Sequence, residues 1–397
     1  MSQVDEQRAR RRAQAVKYVG ALDGIRALAA VGVVIIHTES EAGASIATYV
    51  VTGAFAGPFF MSFFIITGFV LYRGWARKHL ALRDPRPDPL PGARGSADGG
   101  SDGNRGRFLL RRLIRIYPLY WIVATAAMAV SPRSDFGLAD RLQVYVLSPW
   151  PKLDNLLDLG LGIVVWTLII DIAFYLYVTV HGTVMTALVR RVRTVSPFRL
   201  EHAVLIPLFT IPILVAPFVK IPIAALSCLP LGMWGAVVEA EQDRVGHQLR
   251  HITSLVRVWP LWCGLVAVLA PPIVAHLIDV STYDSLITDT WPVVIGLVLL
   301  SGVILSTVLW GGSSWPFNRL LASRRMQQFG LLTYGLYLWH PVVLMVLREH
   351  AADLALLPTI VVTLALSAAL AFVTYTLVER PLGDVRGRLR ASGSARS

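Results

Sequence analysis

Three ionisable residues sit inside one apolar run, Leu22-Asp23-Gly24-Ile25-Arg26-Ala27-Leu28-Ala29-Ala30-Val31-Gly32-Val33-Val34-Ile35-Ile36-His37. A charge within a bilayer costs a few kcal/mol or more, so such residues usually face a cavity and a function. Arg26 and His37 are eleven residues apart. At about 3.6 residues per turn this is three helical turns, with both on one face and their Cα atoms roughly 16 Å apart. That face presents a guanidinium toward one membrane surface and an imidazole toward the other. Imidazole changes charge near neutral pH and can serve as a general base. Asp23 lies one turn before Arg26 and is placed to pair with it. A cleaved signal peptide is the competing reading, with basic Arg8 to Arg12 ahead of the run and Ala42-Gly43-Ala44 after it. A discarded segment has no need of Asp23, Arg26 and His37, which argues against it.

Further along, Arg112 and Arg115 share a helix face in Arg111-Arg112-Leu113-Ile114-Arg115-Ile116-Tyr117-Pro118. Two guanidinium forks at a membrane edge suit a phosphate-rich ligand. Taken alone, charge favours the plainer role of anchoring to lipid headgroups. Asp171, in Trp166-Thr167-Leu168-Ile169-Ile170-Asp171, is deep in an apolar run and needs a partner such as histidine or arginine. A carboxylate beside an imidazole would orient it and support its protonated form. His181 reads as a packing or hydrogen-bonding residue. His340-Pro341 reads as a kink beside a satisfied core histidine. Glu379-Arg380-Pro381 reads as a structural clamp or part of a cytoplasmic vestibule.

The elements that must position these groups are membrane helices. Of 397 residues 55% are hydrophobic, and the mean hydropathy is +0.58. Apolar runs long enough to span a bilayer recur along the chain. They predict an all-α polytopic bundle of about ten transmembrane helices. The expected spans are near 22–37, 54–72, 113–130, 159–189, 204–219, 221–238, 258–278, 291–310, 331–347 and 356–378. Residues 1–17 read as a disordered basic tail, 84–106 as a flexible cytoplasmic insert and 383–397 as a basic cytoplasmic tail, around a membrane domain over 18–382. The net charge of +12 would suggest nucleic acid in a soluble protein. Here the arginines cluster between apolar runs, so topology explains them and no nucleic-acid partner is expected. The same rule puts both termini in the cytoplasm of a multi-pass cell-membrane protein. The two cysteines, Cys228 and Cys263, give no metal spacing, and no phosphate-binding glycine loop or nucleophile elbow occurs.

The ordered set of these motifs, closing with Tyr337-Leu-Trp-His340-Pro341 and Val378-Glu379-Arg380-Pro381, resembles the acyltransferase-3 family of integral membrane O-acyltransferases. The family's Arg-x10-His pattern falls on Arg26 and His37, and its Arg-x-x-Arg on Arg112 and Arg115. Its usual Trp-Ser-Leu-x-x-Glu becomes Trp166-Thr-Leu-x-x-Asp171, one methylene shorter at the acid. The resemblance implies transfer of an acyl group, often acetyl, from acyl-CoA to a hydroxyl of a glycan, a glycolipid or a macrolide-type secondary metabolite. It implies His37, Arg26 and Asp171 as catalytic residues and Arg112, Arg115 and Arg26 as donor-binding residues, with the lipid bilayer as surroundings and no metal. A transporter or flippase for an envelope precursor shares the helix count, the intramembrane charges and the basic vestibule, and is the competing class.

Overall fold

In lipid an apolar segment has few solutions, because every backbone N–H and C=O must be satisfied within the protein. The chain takes the helical one. The computed structural model describes residues 3–83, 105–131, 137–147, 161–215, 223–245, 291–310 and 316–383. Among these, twelve α-helices and no strands occur. They are α1 (Gln3–Glu41), α2 (Ile46–Ala81), α3 (Arg105–Val130), α4 (Leu138–Val146), α5 (Gly162–Arg191), α6 (Pro197–Val215), α7 (Cys228–Val245), α8 (Trp291–Trp310), α9 (Pro316–Leu321), α10 (Arg324–Gly330), α11 (Thr333–His350) and α12 (Leu356–Thr374). A π-helical stretch, Tyr375–Glu379, continues α12.

Six helices among the described residues are long and apolar enough to cross a membrane, within α1, α2, α3, α5, α6 and α12. The pair α10 and α11, bent by 56°, makes a seventh if counted as one span. The expected ten are therefore not reached among the described residues. The span expected near 258–278, the hairpin around Lys220 and the C-terminal tail from 384 lie outside them, as do residues 84–104 of the expected insert. The helices also run further than the apolar runs. α1 begins at Gln3, where a disordered tail was expected, because Gln, Glu, Arg and Ala are good helix formers. α2 continues past Tyr72 to Ala81, and α3 opens at Arg105 rather than Leu113.

The chain divides into two units. The first contains α1 up to Ile36, α2, the end of α5 from Val184, and α6 to α10. Its core is the close packing of α2 on α7. A Cβ on Gly68 would come 2.1 Å from the Leu229 carbonyl oxygen, and one on Gly232 would come 2.0 Å from that of Ile65. Small residues at such crossings let backbones approach, which drives helix association in lipid. Gly232→Val is therefore expected to destabilise this unit by on the order of 1–3 kcal/mol or more. A lower melting temperature and lower yield in detergent would show it; a wild-type melting curve would refute the crossing.

The same unit holds a buried polar clamp. Glu201 and His79 are both fully buried and hydrogen-bonded, Tyr72 donates to both Glu201 oxygens at 2.9 Å, and the other His79 nitrogen meets Thr186 Oγ1 at 2.9 Å. Nearby, Arg73 makes a two-pronged contact with Glu239, and Arg77 reaches Asp243 at 3.1 Å. These arginines, which read as loop charges in the sequence, are helical and paired.

The second unit contains His37–Ala44, α3, α4, α5 up to Thr183, α11 and α12. Aromatic side chains of α3 satisfy the last carbonyls of α4, which a helix end leaves without partners. Tyr120 donates to Val144, Tyr117 to Val146 and Trp121 to Tyr145. Threonines bond back one turn, Thr179 to Tyr175 and Thr363 to Thr359, so their hydroxyls are not stranded. Leu357, Val361 and Phe372 of α12 point outward, as a lipid-facing stripe would.

Candidate active site

The second unit carries a polar seam between two apolar helices. On α5, Thr167, Asp171 and Tyr175 recur every fourth residue and so share a face. On α11, Tyr334, Tyr337 and His340 recur every third residue and do the same. The stripes meet where the Tyr337 hydroxyl lies 2.8 Å from Thr167 Oγ1. Toward the start of α11, the Tyr334 hydroxyl donates to the Ile116 carbonyl of α3 at 2.7 Å. Glu379, Tyr175, Arg115 and Asp171 all lie close enough to act electrostatically on that hydroxyl.

Arg112 and Arg115 occupy the arginine end of this seam, on the N-terminal half of α3. The Arg112 guanidinium lies over the rings of Phe108 and Tyr175, at 5.6 and 5.9 Å. Such stacking suits its flat fork and fixes its aim. Arg115 is more exposed and lines a small opening with Ile114, Leu119 and Glu379. The π-helical stretch sets Glu379 there; such stretches in α-helices often mark functional sites.

At the other end of the seam stands His37, half-buried in the last turns of α1. Its Nδ1 is 2.8 Å from Nε2 of His340, and the two rings stack with centroids 5.1 Å apart. His340 is fully buried. Tyr337 packs beside it, with ring centroids 5.8 Å apart. One turn past His37, Glu41 forms an ion pair with Arg348 that ties α1 to α11. The Nε2 of His37 makes no hydrogen bond among the described residues.

The residues singled out in the sequence fall in both units. His37, Arg112, Arg115 and Asp171 belong to the second unit, and Arg26 to the first, where it pairs with Asp23 at 3.3 Å. Gly24 between them meets the main chain of Leu321, to which a Cβ would come within 2.4 Å. Asp171 lies within electrostatic range of Tyr334 and Tyr337. Among the described residues, the hydrogen-bond partner of His37 is His340. His340, expected as a core histidine, is buried as such a residue would be, but it is bonded to the candidate base. His181 bonds Tyr177 one turn away, at 3.1 Å.

A family model described as an acyltransferase domain, acyltransferase 3, matches residues 19–378. The chain belongs to the acyltransferase-3 family. No curated protein and no solved structure matches the chain. Membership makes the protein a membrane-embedded acyltransferase. The acyltransferase-3 match takes in His37, His340, Asp171 and the Arg112–Arg115 pair. Acyl transfer needs a group that removes a proton from the acceptor and a means to hold the donor. The partner of His340 is hidden in the sequence because it lies 303 residues away. The available signal was the adjacent proline, which breaks the backbone ladder beside a polar side chain.

Proposed function

We propose that this acyltransferase-3 protein transfers an acyl group, in the first place acetyl, from acyl-CoA to a hydroxyl of a glycan, glycolipid or macrolide-type acceptor. The observation that carries this reading is His37. It is a membrane-helix imidazole held at one nitrogen by a second imidazole and open at the other, in the unit that also bears Arg112 and Arg115.

In this reading the phosphates of the donor lie against Arg112 and Arg115, on the side that the arginine-rich segments assign to the cytoplasm. His37 Nε2 takes the proton of the acceptor hydroxyl as the oxygen attacks the thioester carbonyl. The new C–O bond forms, the C–S bond breaks, and the proton passes from His37 to the departing thiolate. Arg26 is paired with Asp23 on the same helix, and its part in holding the donor rests on the family resemblance. The part of Asp171 in catalysis rests likewise on the family resemblance, and it lies within electrostatic range of the tyrosines of the seam.

Purified protein in lipid nanodiscs, given acetyl-CoA and a membrane extract containing acceptor, is expected to release free thiol together with an acylated product. Vectorial movement of an envelope precursor without any covalent change would instead establish the transporter class.

A further inference from the structure

We infer that His340 is a positioning residue that fixes which nitrogen of His37 is the base and shares the proton charge that His37 acquires. The inference rests on the reading of His37 as the base.

Pro341 has no N–H, so the Tyr337 carbonyl one turn earlier receives no helical hydrogen bond. That carbonyl and the one of Leu336 lie close enough to the His340 ring to act on it electrostatically. Its Nε2 is engaged by His37, so the nitrogen on the carbonyl side is Nδ1. Carbonyl oxygens only accept, so Nδ1 carries the proton and Nε2 the lone pair. His37 must then donate from Nδ1 across the 2.8 Å contact. The lone pair of His37 is left on Nε2, the open position.

The opposite tautomer pair would turn the Nδ1 lone pair of a fully buried imidazole toward two carbonyl oxygens, a repulsion that the low-dielectric interior screens poorly. In the resting protein Nδ1 makes no full hydrogen bond to either oxygen. As His37 takes a proton at Nε2, its Nδ1–H becomes a stronger donor to His340. Positive charge then spreads onto the second ring, where Nδ1–H meets the two carbonyl dipoles and the contact tightens, as catalytic hydrogen bonds commonly do along a reaction. An imidazole backed by a proline-freed carbonyl thus does the orienting that the sequence assigned to a carboxylate. No atom is lost or gained: the proton enters at His37 Nε2 and leaves from it to the thiolate.

The test compares two amides that differ only in reach. Glutamine at 340 puts its oxygen near the Nε2 position, where it accepts from His37. Asparagine puts it near Nδ1, too short to reach. Steady-state acyl transfer by the full chain in nanodiscs, with acetyl-CoA as donor, gives kcat and the donor KM for each. His340→Gln is expected to keep kcat within roughly tenfold of wild type. His340→Asn and His340→Phe are expected to lose on the order of a hundredfold or more, with the donor KM little changed. Pro341→Ala, which returns a competing N–H to the Tyr337 carbonyl, is expected to lower kcat without lowering the melting temperature. Equal kcat for the Gln and Asn variants, or wild-type kcat in His340→Phe, overturns the inference. If His37→Gln is inactive in the same preparations, the role of His37 survives that failure. If His37→Gln is itself active, the reading of His37 fails first.

Discussion

His37→Gln is expected to lower acyl transfer by roughly a hundred- to ten-thousandfold, the usual worth of a positioned acid–base group. At about 1.4 kcal/mol per tenfold, this raises the barrier by about 3–5 kcal/mol. Glutamine keeps the polarity and most of the volume, and its amide can still meet His340. What it cannot do is accept the acceptor's proton. The loss should therefore fall on kcat, with insertion, yield and donor affinity retained. His37→Ala should match it in rate. It also leaves the buried His340 Nε2 without its donor, so a lower melting temperature is expected for Ala than for Gln. Product formed from acetyl-CoA in membranes at matched protein level reads the effect. Equal melting temperatures with equal inactivity would separate the catalytic role of His37 from any structural one.

The second large effect is expected at the arginines. Losing a charged hydrogen-bond partner costs about 1.5–3 kcal/mol, or roughly ten- to a hundred-and-fifty-fold in affinity. Arg112→Ala should raise the donor KM by an amount in this range. It also empties the space over Phe108 and Tyr175. Arg112→Lys should recover little, because an ammonium lacks the flat face that stacks and the fork that meets phosphate. Arg115 is more exposed and has Glu379 beside it, so its charge is better screened and Arg115→Ala should shift KM less. The double variant should lose donor dependence while the acceptor KM holds. Unchanged donor KM in both single variants would return these residues to lipid anchoring.

The all-helical membrane fold was legible because apolar runs of bilayer length leave the backbone little choice. α8 runs over the expected Trp291–Trp310 for that reason. Other boundaries shifted because polar residues extend helices once they find partners, as Arg73 and Arg77 do with Glu239 and Asp243. Hydropathy is blind to such pairs. It was equally blind to the Glu201–His79 clamp, since Glu201 opens a helix with basic neighbours and reads as a solvated surface residue. Within the site, His37 and Arg112–Arg115 stood out as ionisable residues at helical spacing. The partner of His37 did not. A one-dimensional pattern ranks carboxylates as orienting groups from charge alone. The choice between Asp171 and His340 depends on which side chain of α5 or α11 meets α1, and that is a matter of packing.

The central claim is that His37 removes the acceptor's proton in an acyl-CoA-dependent transfer, and a single-turnover measurement at saturating donor tests it most directly. Purified wild type and His37→Gln, both in nanodiscs with bound acetyl-CoA, are mixed with acceptor extract and the free thiol is followed in time. The account predicts a burst of thiol and product for wild type and neither for His37→Gln, although both hold the donor equally. Thiol release by His37→Gln at the wild-type rate would contradict it.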